Sequence, residues 1–218
     1  MTMLEDIRDG LLHVPDTEDS VADSDTAPIY LNWGFTIYRT EYGGSSEQNW
    51  QALLANIRAQ VAEELDVHRE DDDQQETIDQ LLNLFRIDFR SDATLLQGKS
   101  IDELRQLFLN PADTGDTRPP LNADAPTRPP QYGYFLLADT EVLGSPDSWV
   151  KCVQADYMAA NYVPRNARVG GQRYFGWMKM TTRSLLELWN ELAARALDSI
   201  APETVGGMHL ITWDGELD

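Results

Sequence analysis

Cysteine and lysine are scarce in this chain. Among its 218 residues there is one cysteine, Cys152, and most of the 17 basic residues are arginine. A single cysteine cannot form an internal disulfide, which predicts a reducing compartment, the cytoplasm. His13, His68 and His209 are far apart in the sequence, so the usual residues of a zinc cluster are missing as well. We therefore predict a cytoplasmic protein without a bound metal.

Long apolar runs and common catalytic motifs are also missing. No run approaches the roughly 20 apolar residues that cross a bilayer, and the acidic N-terminus does not resemble a signal peptide. Gly170-Gly171 does not form a dinucleotide fingerprint, and there is neither a P-loop nor a GxSxG motif. The acidic run at 71–73 lacks the alternation of a calcium loop. These absences predict that the chain uses no cofactor.

Cys152 lies in the middle of the segment WVKCVQA, whose alternation is typical of a strand. A buried free cysteine at such a position is common and unreactive, because burial disfavours the thiolate. We therefore interpret Cys152 as a structural thiol rather than a nucleophile.

The excess of acidic residues is large. The formal net charge is −20. A charge of that sign and size repels nucleic acid and anionic membranes at long range, so we predict no binding of DNA or of membranes. Two further explanations of the composition are a high-salt organism and a GC-rich genome.

Composition divides the chain into a tail and one domain. Residues 1–29 carry eight acids and one base, which predicts a short helix near 3–12 followed by a disordered acidic stretch. We predict that residues 30–218 form a single domain. Within it, residues 110–131 are proline-rich and contain Thr-Arg-Pro-Pro twice, the pattern of a linker loop. The alternative is two smaller halves joined at this linker.

Hydrophobic periodicity predicts alternating helices and strands in the domain. Ser45 with Gln48 and Ser100 with Glu103 have the spacing of capping boxes that begin helices. An acidic loop is predicted at 68–79. Strands are predicted at residues 33–42, 84–90, 132–138, 149–155, 173–180 and 208–213, and helices at 46–66, 101–108 and 182–197.

This order of elements predicts an α+β fold. Strands and helices mix without strict βαβ alternation, which favours a mixed, mostly antiparallel sheet with helices packed on one face. The specific topology we expect is a ferredoxin-like, split βαβ arrangement.

Residues 148–186 form a basic and aromatic segment in this acidic chain. They contain six basic side chains and one acid, a local net charge of +5. Tryptophans and tyrosines are interleaved with the cations. A segment of this kind is the place in the chain where an anionic or flat ligand is expected to bind.

Particular residues of the segment suggest roles in binding. Guanidinium groups bind phosphate and carboxylate through paired hydrogen bonds, and Arg165, Arg168 and Arg173 are close enough in sequence to converge on such a group. The predicted ligand-binding residues are Lys151, Arg165, Arg168, Arg173, Trp177 and Lys179. Asp156, Tyr157 and Tyr162 are the candidates for acid–base catalysis. The competing interpretation is that these cations pair with acidic residues of the same chain.

Several segments together show a family resemblance. They are FTIYRTEY followed by Trp50, FRSDATLLQGKSIDELRQLF, YFLLADTEVLGS, WVKCVQADY and GWMKMTTRSLLELW. Their succession, over roughly residues 33–197, resembles a family of uncharacterised proteins of filamentous ascomycete fungi. The resemblance implies a eukaryotic cytoplasmic protein, and it implies no activity and no functional residue.

Three functions are compatible with the sequence. The first is a non-catalytic binding or interaction protein that uses residues 148–186 as its contact site, with a protein or an anionic or aromatic small molecule as partner. The second is a small metal-independent enzyme of secondary metabolism that acts on an anionic or aromatic substrate. The third is local binding of RNA or a nucleotide by the same segment.

Overall fold

The structure is a computed structural model. It describes residues 2–13, 29–70, 74–111, 118, 121–122, 129–145, 147–163, 171–205 and 207–215. Residues 14–28 of the predicted tail, the acidic run 71–73 and most of the predicted linker lie outside the described residues, so these predictions remain untested.

The described residues form short strands and helices in alternation. The strands are β1 (Leu12–His13), β2 (Ile29–Tyr30), β3 (Trp33–Arg39), β4 (Phe85–Arg90), β5 (Tyr134–Ala138), β6 (Trp149–Gln154) and β7 (Trp177–Thr181). The helices include α1 (Met3–Gly10), α2 (Ser46–Asp66), α3 (Gln75–Leu84), α4 (Ala93–Leu96), α5 (Ile101–Leu109), α6 (Thr140–Leu143), α7 (Leu185–Ala194) and α8 (Leu197–Ile200).

A mixed five-stranded sheet organises the fold, in the order β4-β3-β5-β6-β7. β3 is parallel to both β4 and β5, whereas β6 is antiparallel to both β5 and β7. The α+β class with a mixed sheet is confirmed. The ferredoxin-like topology is wrong, because that sheet alternates in direction throughout. The long connections through α2–α3 and α4–α5 allow parallel neighbours instead.

Helices cover both faces of the sheet. On one face, β5 contributes Tyr134 and Leu136 to a large core that is shared with α1, α2, α3, α7 and α8. On the other face, Phe135 and Leu137 pack against α4 and α5 in a smaller core. The prediction of helices on a single face is therefore wrong. The cause is that β5 is apolar on both sides, as expected for a central strand.

The helix α2 occupies the predicted bounds, and its apolar side chains at helical spacing lie in the large core. Trp50, Ile57 and Val61 are almost fully buried. Ser45, however, makes no side-chain capping bond, because its backbone is outside the extended region that a capping residue adopts. Ser100 and Glu103 do form the predicted capping box at the start of α5.

Three sequence predictions of local structure are corrected. Residues 75–79 belong to α3 rather than to an acidic loop, because Ile78 and Leu81 bury one face of that helix. The predicted helix 182–197 is divided into a 3-10 turn, α7 and α8. Residues 208–213 form isolated bridges instead of a strand, since only Trp213 is bonded to β7.

Two arginines are buried at the sheet with internal partners. Arg39 forms an ion pair with Glu47 and donates to Ser46 Oγ at 3.0 Å. Arg90 is also buried, and it pairs with Asp88 at 2.5 Å. The carbonyl of Arg118 also accepts a hydrogen bond from the Arg90 guanidinium at 3.0 Å.

The first helix, α1, packs into the large core. α1 has the capping box of Thr2 and Glu5, and its Leu4 and Ile7 are buried, which confirms the predicted helix near 3–12. Within the described ranges, no helix has both the length and the apolarity needed to cross a membrane.

Candidate functional site

The basic-aromatic segment supplies β6 and β7, which lie side by side. Their register places Lys151 opposite Lys179 and Val153 opposite Trp177. Directly opposed residues of paired strands share one face of the sheet. Three of the predicted ligand-binding residues, Lys151, Trp177 and Lys179, are therefore brought together on one face.

Two carboxylates meet these lysines. Lys151 Nζ lies 2.6 Å from Asp139 Oδ2 and 2.8 Å from Glu141 Oε2. Lys179 Nζ lies 2.5 Å from the other oxygen of Glu141. Asp139 is fixed at this point because it is the N-cap of α6, where it accepts from the backbone N–H of Val142. We call Lys151, Lys179, Asp139 and Glu141 the lysine–carboxylate cluster.

Each ammonium group of this cluster also lies over an indole ring. Lys151 Nζ is 4.8 Å from the ring centroid of Trp177, and Lys179 Nζ is 4.8 Å from that of Trp149. Both distances fall within the range of cation–π contacts. The two positive charges therefore have carboxylate and aromatic partners inside the chain.

The charge balance of the cluster is visible in Glu141. Partial burial raises the pKa of its carboxyl group, but the hydrogen bonds from Lys151 and Lys179 outweigh that effect, so the pKa lies below its usual value. Glu141 thus stays ionised and bridges the two lysines. An anionic ligand at this point would have to displace it.

His209 also contacts Trp177. Its imidazole stacks on that indole with ring centroids 3.6 Å apart, and no described residue forms a hydrogen bond with its buried Nε2. Burial, followed by the charges of Lys179 and Lys151, lowers the pKa of His209 to about 4. The ring is therefore neutral at pH 7.

The catalytic candidates Tyr157 and Tyr162 lie in a second group, the tyrosine cluster, with Tyr174. Tyr157 and Tyr162 stack at a centroid distance of 5.2 Å, and Tyr162 meets Tyr174 edge to face at 5.0 Å. Tyr174 donates to Gln154 Oε1 at 2.9 Å, and burial raises its pKa. Burial also raises the pKa of Tyr162. The raised pKa values keep both hydroxyls protonated at neutral pH.

Arg105 joins the tyrosine cluster to the sheet. Its guanidinium lies 4.7 Å from the ring centroid of Tyr157 and donates to the carbonyls of Gln154 and Gly176, each at 3.0 Å. Gly176 has φ +76°, and a Cβ there would lie 2.2 Å from the Tyr157 ring. Glycine is required at this position because the arginine and the tyrosine approach its backbone so closely.

Asp156 faces a groove instead of the tyrosine rings. The groove has a volume of about 510 Å³ and lies between the end of α5, the turn at Pro130–Gly133 and the end of β6. Asp156 Oδ1 accepts from Gln154 Nε2 at 2.9 Å. The candidates Asp156, Tyr157 and Tyr162 thus share one end of the sheet without sharing one pocket.

The predicted arginines are only partly described. Arg165 and Arg168 lie outside the described residues. Arg173 is exposed and pairs with Glu203 at 2.5 Å. Another arginine of the segment, Arg183, is exposed and lies 3.6 Å from Asp214. Convergence of the three predicted arginines on one ligand therefore remains a prediction.

An exposed apolar surface lies between these two ion pairs in sequence. Val205, Met208, Leu210 and Ile211 are each 53–64% exposed; we call these four residues the C-terminal apolar ridge. Backbone hydrogen bonds hold the segment in place: Val205 and Met208 pair with each other, and Trp213 exchanges bonds of 2.8 and 2.9 Å with β7. These bonds attach the segment to the sheet at Trp213 and join Val205 to Met208.

A shallow groove of about 470 Å³ borders the ridge. Val205, Phe175 and the Arg173–Glu203 pair contribute to its walls. The groove has both apolar and charged walls and lies against residues of the basic-aromatic segment. It offers room for a side chain of a bound partner.

Cys152 is fully buried in the large core, as the sequence suggested. Burial raises the pKa of its thiol, so the reactive thiolate is disfavoured at neutral pH. Among the described residues there is no group of three His, Cys, Asp or Glu side chains that could hold a metal ion.

Sequence reasoning missed Asp139, Glu141, His209 and the ridge as parts of these sites. The signal for Asp139 was present, because Asp followed by Thr-Glu is a common helix start. His209 was considered only as a metal ligand, and its stacking on Trp177 joins segments more than 30 residues apart. Three residues of the ridge, Met208, Leu210 and Ile211, were interpreted as part of a strand because of their strand propensity.

Comparisons of the chain with protein-family models, curated proteins and solved structures found no match.

Proposed function

We propose that this protein is a non-catalytic binding protein, and that its contact surface consists of the C-terminal apolar ridge with the adjoining arginines of the basic-aromatic segment. The observation that carries the proposal is the ridge itself. Four large apolar side chains within seven residues, each more than half exposed, favour a protein partner, because such a surface is stabilised when a partner covers it.

The polar surroundings of the ridge support the same proposal. Arg173 with Glu203 stands at one end in sequence and Arg183 with Asp214 at the other. Protein interfaces commonly have an apolar centre and a polar rim, and arginine is enriched in them. The basic-aromatic segment would then act through its rim arginines, while the lysine–carboxylate cluster links β6 to β7 through Glu141.

The expected partner is another protein rather than a second copy of this chain. The net charge of −20 makes two copies repel each other. A partner with an apolar centre and a net positive charge would be attracted instead. The single buried thiol and the fungal resemblance support a cytoplasmic, fungal setting for this binding.

The first experiment identifies the partner by its position. A photo-crosslinking amino acid replaces Leu210 in one sample and Val67 in another, and both are exposed to fungal cytosolic extract. Val67 is the matched control because it is 74% exposed and apolar but lies in the 3-10 turn after α2. A protein that crosslinks at Leu210 and not at Val67 is expected.

The second experiment measures affinity with the purified partner. Leu210→Glu is expected to raise the Kd at least about tenfold, a change of roughly 1.4 kcal/mol that is typical of a central interface residue. Val67→Glu is expected to leave the Kd within about twofold. Arg183→Glu is expected to change mainly the association rate, because charges at a rim steer encounter.

Two results would contradict the proposal. One is equal crosslinking at both positions, and the other is an unchanged Kd for Leu210→Glu in a folded variant. Concentration-dependent dimers of the purified chain that Leu210→Glu abolishes would show that the ridge serves self-association instead.

A further inference from the structure

The groove beside Asp156 has the size and lining of a small-molecule site. Its volume of about 510 Å³ lies within the usual range for such pockets, roughly 300–1,000 Å³. Phe108, Leu109 and Tyr132 supply an apolar and aromatic wall. This groove is separate from the ridge, whose bordering groove has other walls.

The electrostatics of the groove favour a cation. Asp156 is exposed, no described cation pairs with it, and its carboxylate accepts a hydrogen bond from Gln154 Nε2. The groove also lies at the C-terminal end of α5, where the helix dipole is negative. The last turn of that nine-residue helix contains no basic side chain that would offset it.

A second carboxylate, Asp198, lies near Tyr162 rather than in the lining of the groove. Burial, followed by Asp198 and Asp156 among the charged groups, raises the pKa of the Tyr162 hydroxyl. Both carboxylates therefore act on the same tyrosine. With a net charge of −20 over the chain, a cationic ligand is attracted at long range as well.

We propose that this groove binds a small molecule with a protonated amine on a flat apolar body. The ammonium group contacts the carboxylate of Asp156, and the flat body lies against Phe108, Leu109 and Tyr132. This assignment is independent of the proposed protein-binding ridge and adds a second ligand class to the molecule.

The test uses 2-phenylethylamine as the probe and the ¹⁵N-labelled full chain. Amide chemical shifts are followed in a two-dimensional NMR spectrum during titration at pH 7. The shifts are expected to concentrate at Gly133, Ala155 and Asp156, with a Kd on the order of 1 mM for a ligand of this size. The neutral 2-phenylethanol and the anionic 3-phenylpropionate are the matched probes, and both are expected to bind more weakly.

Two variants distinguish the effect of the Asp156 charge from the effect of the net charge of the chain. Asp156→Asn is expected to raise the Kd for 2-phenylethylamine about fivefold, equivalent to roughly 1 kcal/mol. Asp147→Asn removes an exposed carboxylate outside the groove and is expected to leave the Kd within about 1.5-fold. Both variants change the net charge equally.

Two substitutions at Leu109, another residue of the groove wall, test the same preference for a positively charged ligand. Leu109 is about half exposed and lines the groove, so polar replacements are compatible with folding. Leu109→Lys is expected to weaken binding of the amine about fivefold, and Leu109→Glu is expected to strengthen it at least about twofold, because the sign of the added charge is reversed.

Three results would overturn this inference. They are equal binding of 3-phenylpropionate, an effect of Asp156→Asn no larger than that of Asp147→Asn, and amide shifts that lie outside the groove. None of these bears on the ridge, since Leu210→Glu is expected to leave binding of 2-phenylethylamine unchanged.

Discussion

Lys151 is the residue at which charge and burial meet most closely. Its side chain is 8% exposed, and its ammonium contacts Asp139, Glu141 and the ring of Trp177. A buried ammonium without carboxylate partners would be strongly unfavourable. The two carboxylates therefore help to make a buried lysine on β6 tolerable.

Replacing Lys151 by methionine tests this interdependence. Lys151→Met leaves Asp139 without its cation, and we expect the free energy of unfolding to fall by about 2 kcal/mol, less than for a fully buried pair because both acids are partly exposed. Lys99→Met is the control, since Lys99 forms an exposed pair with Glu103, and it should change stability by less than about 0.5 kcal/mol. Urea unfolding measures both; equal effects would show that burial does not strengthen the Lys151 pair.

His209 makes the stability of the protein depend on pH, and the direction of this dependence follows from its pKa. The pKa of His209 in the folded protein is about 4, below the ordinary value of about 6.5 that applies when the chain unfolds. The unfolded state therefore binds a proton first as pH falls, so His209 lowers stability between about pH 6.5 and 4 and has no effect above that window.

The substitution His209→Phe removes this titration and keeps a ring that can stack on Trp177. The difference in unfolding free energy between variant and wild type is expected to shift in favour of the variant as pH falls from 7 to 4.5. NMR titration of the His209 ring in the wild type should give a midpoint near 4. A midpoint near 6.5 would show that the ring is accessible to water.

At the scale of elements, the start of α7 depends on a side chain of α2. Glu64 accepts from the backbone N–H of Leu186 at 3.2 Å, and burial raises the pKa of Glu64 to about 7 despite this bond. A carboxyl group whose pKa is raised by folding binds its proton more tightly in the folded state. Its contribution to stability is therefore lost as pH rises from about 4.5 to 7.

Replacing Glu64 by glutamine is expected to change the free energy of unfolding more favourably at pH 8 than at pH 5. Glutamine retains an oxygen that can accept from Leu186, and it has no charge to desolvate. Glu63→Gln is the control because Glu63 is exposed on the same helix. Urea unfolding at the two pH values measures the difference. An equal effect of both variants at both pH values would contradict the assigned pKa.

The positions of most helices and strands could be predicted from the sequence, but the directions of the strands could not. α2 was predicted within its bounds because its apolar stripe is long, and the strands from β3 to β7 were each located because they alternate or are continuously apolar. Strand direction was not predictable, since β3 receives a parallel neighbour on each side through connections whose path depends on packing. Residues 208–213 have strand propensity, but among the described bonds only Trp213 joins this segment to β7.

The sites were predictable to a smaller extent. The sequence identified the segment that contains Lys151, Trp177 and Lys179, and the register brings these three together. It could not identify their partners, because Asp139 and Glu141 belong to a different element, the start of α6. Periodicity describes which residues share a face, but it does not describe which carboxylate neutralises a given lysine.

At the scale of the whole molecule, acidic charge is the dominant property. Each described basic side chain of the sites has an acidic or aromatic partner, yet the chain retains a net charge of −20. Most acidic side chains of the described residues are exposed, and repulsion between such charges opposes the compact state. A binding partner with positive charge would relieve part of that repulsion, which connects the proposed ridge and the groove at Asp156.

Salt should therefore stabilise this protein. Between 10 and 150 mM NaCl the screening length falls from about 30 to 8 Å, and we expect the Tm to rise by about 2–4 °C, equivalent to roughly 1 kcal/mol for a chain of this length. Differential scanning calorimetry measures the change. Screening predicts that most of the rise is complete by about 0.15 M, whereas an effect of salt on apolar surfaces would grow steadily to molar concentrations. A Tm that falls over the low range would show that attractive ion pairs, such as those of the lysine–carboxylate cluster, outweigh the net repulsion.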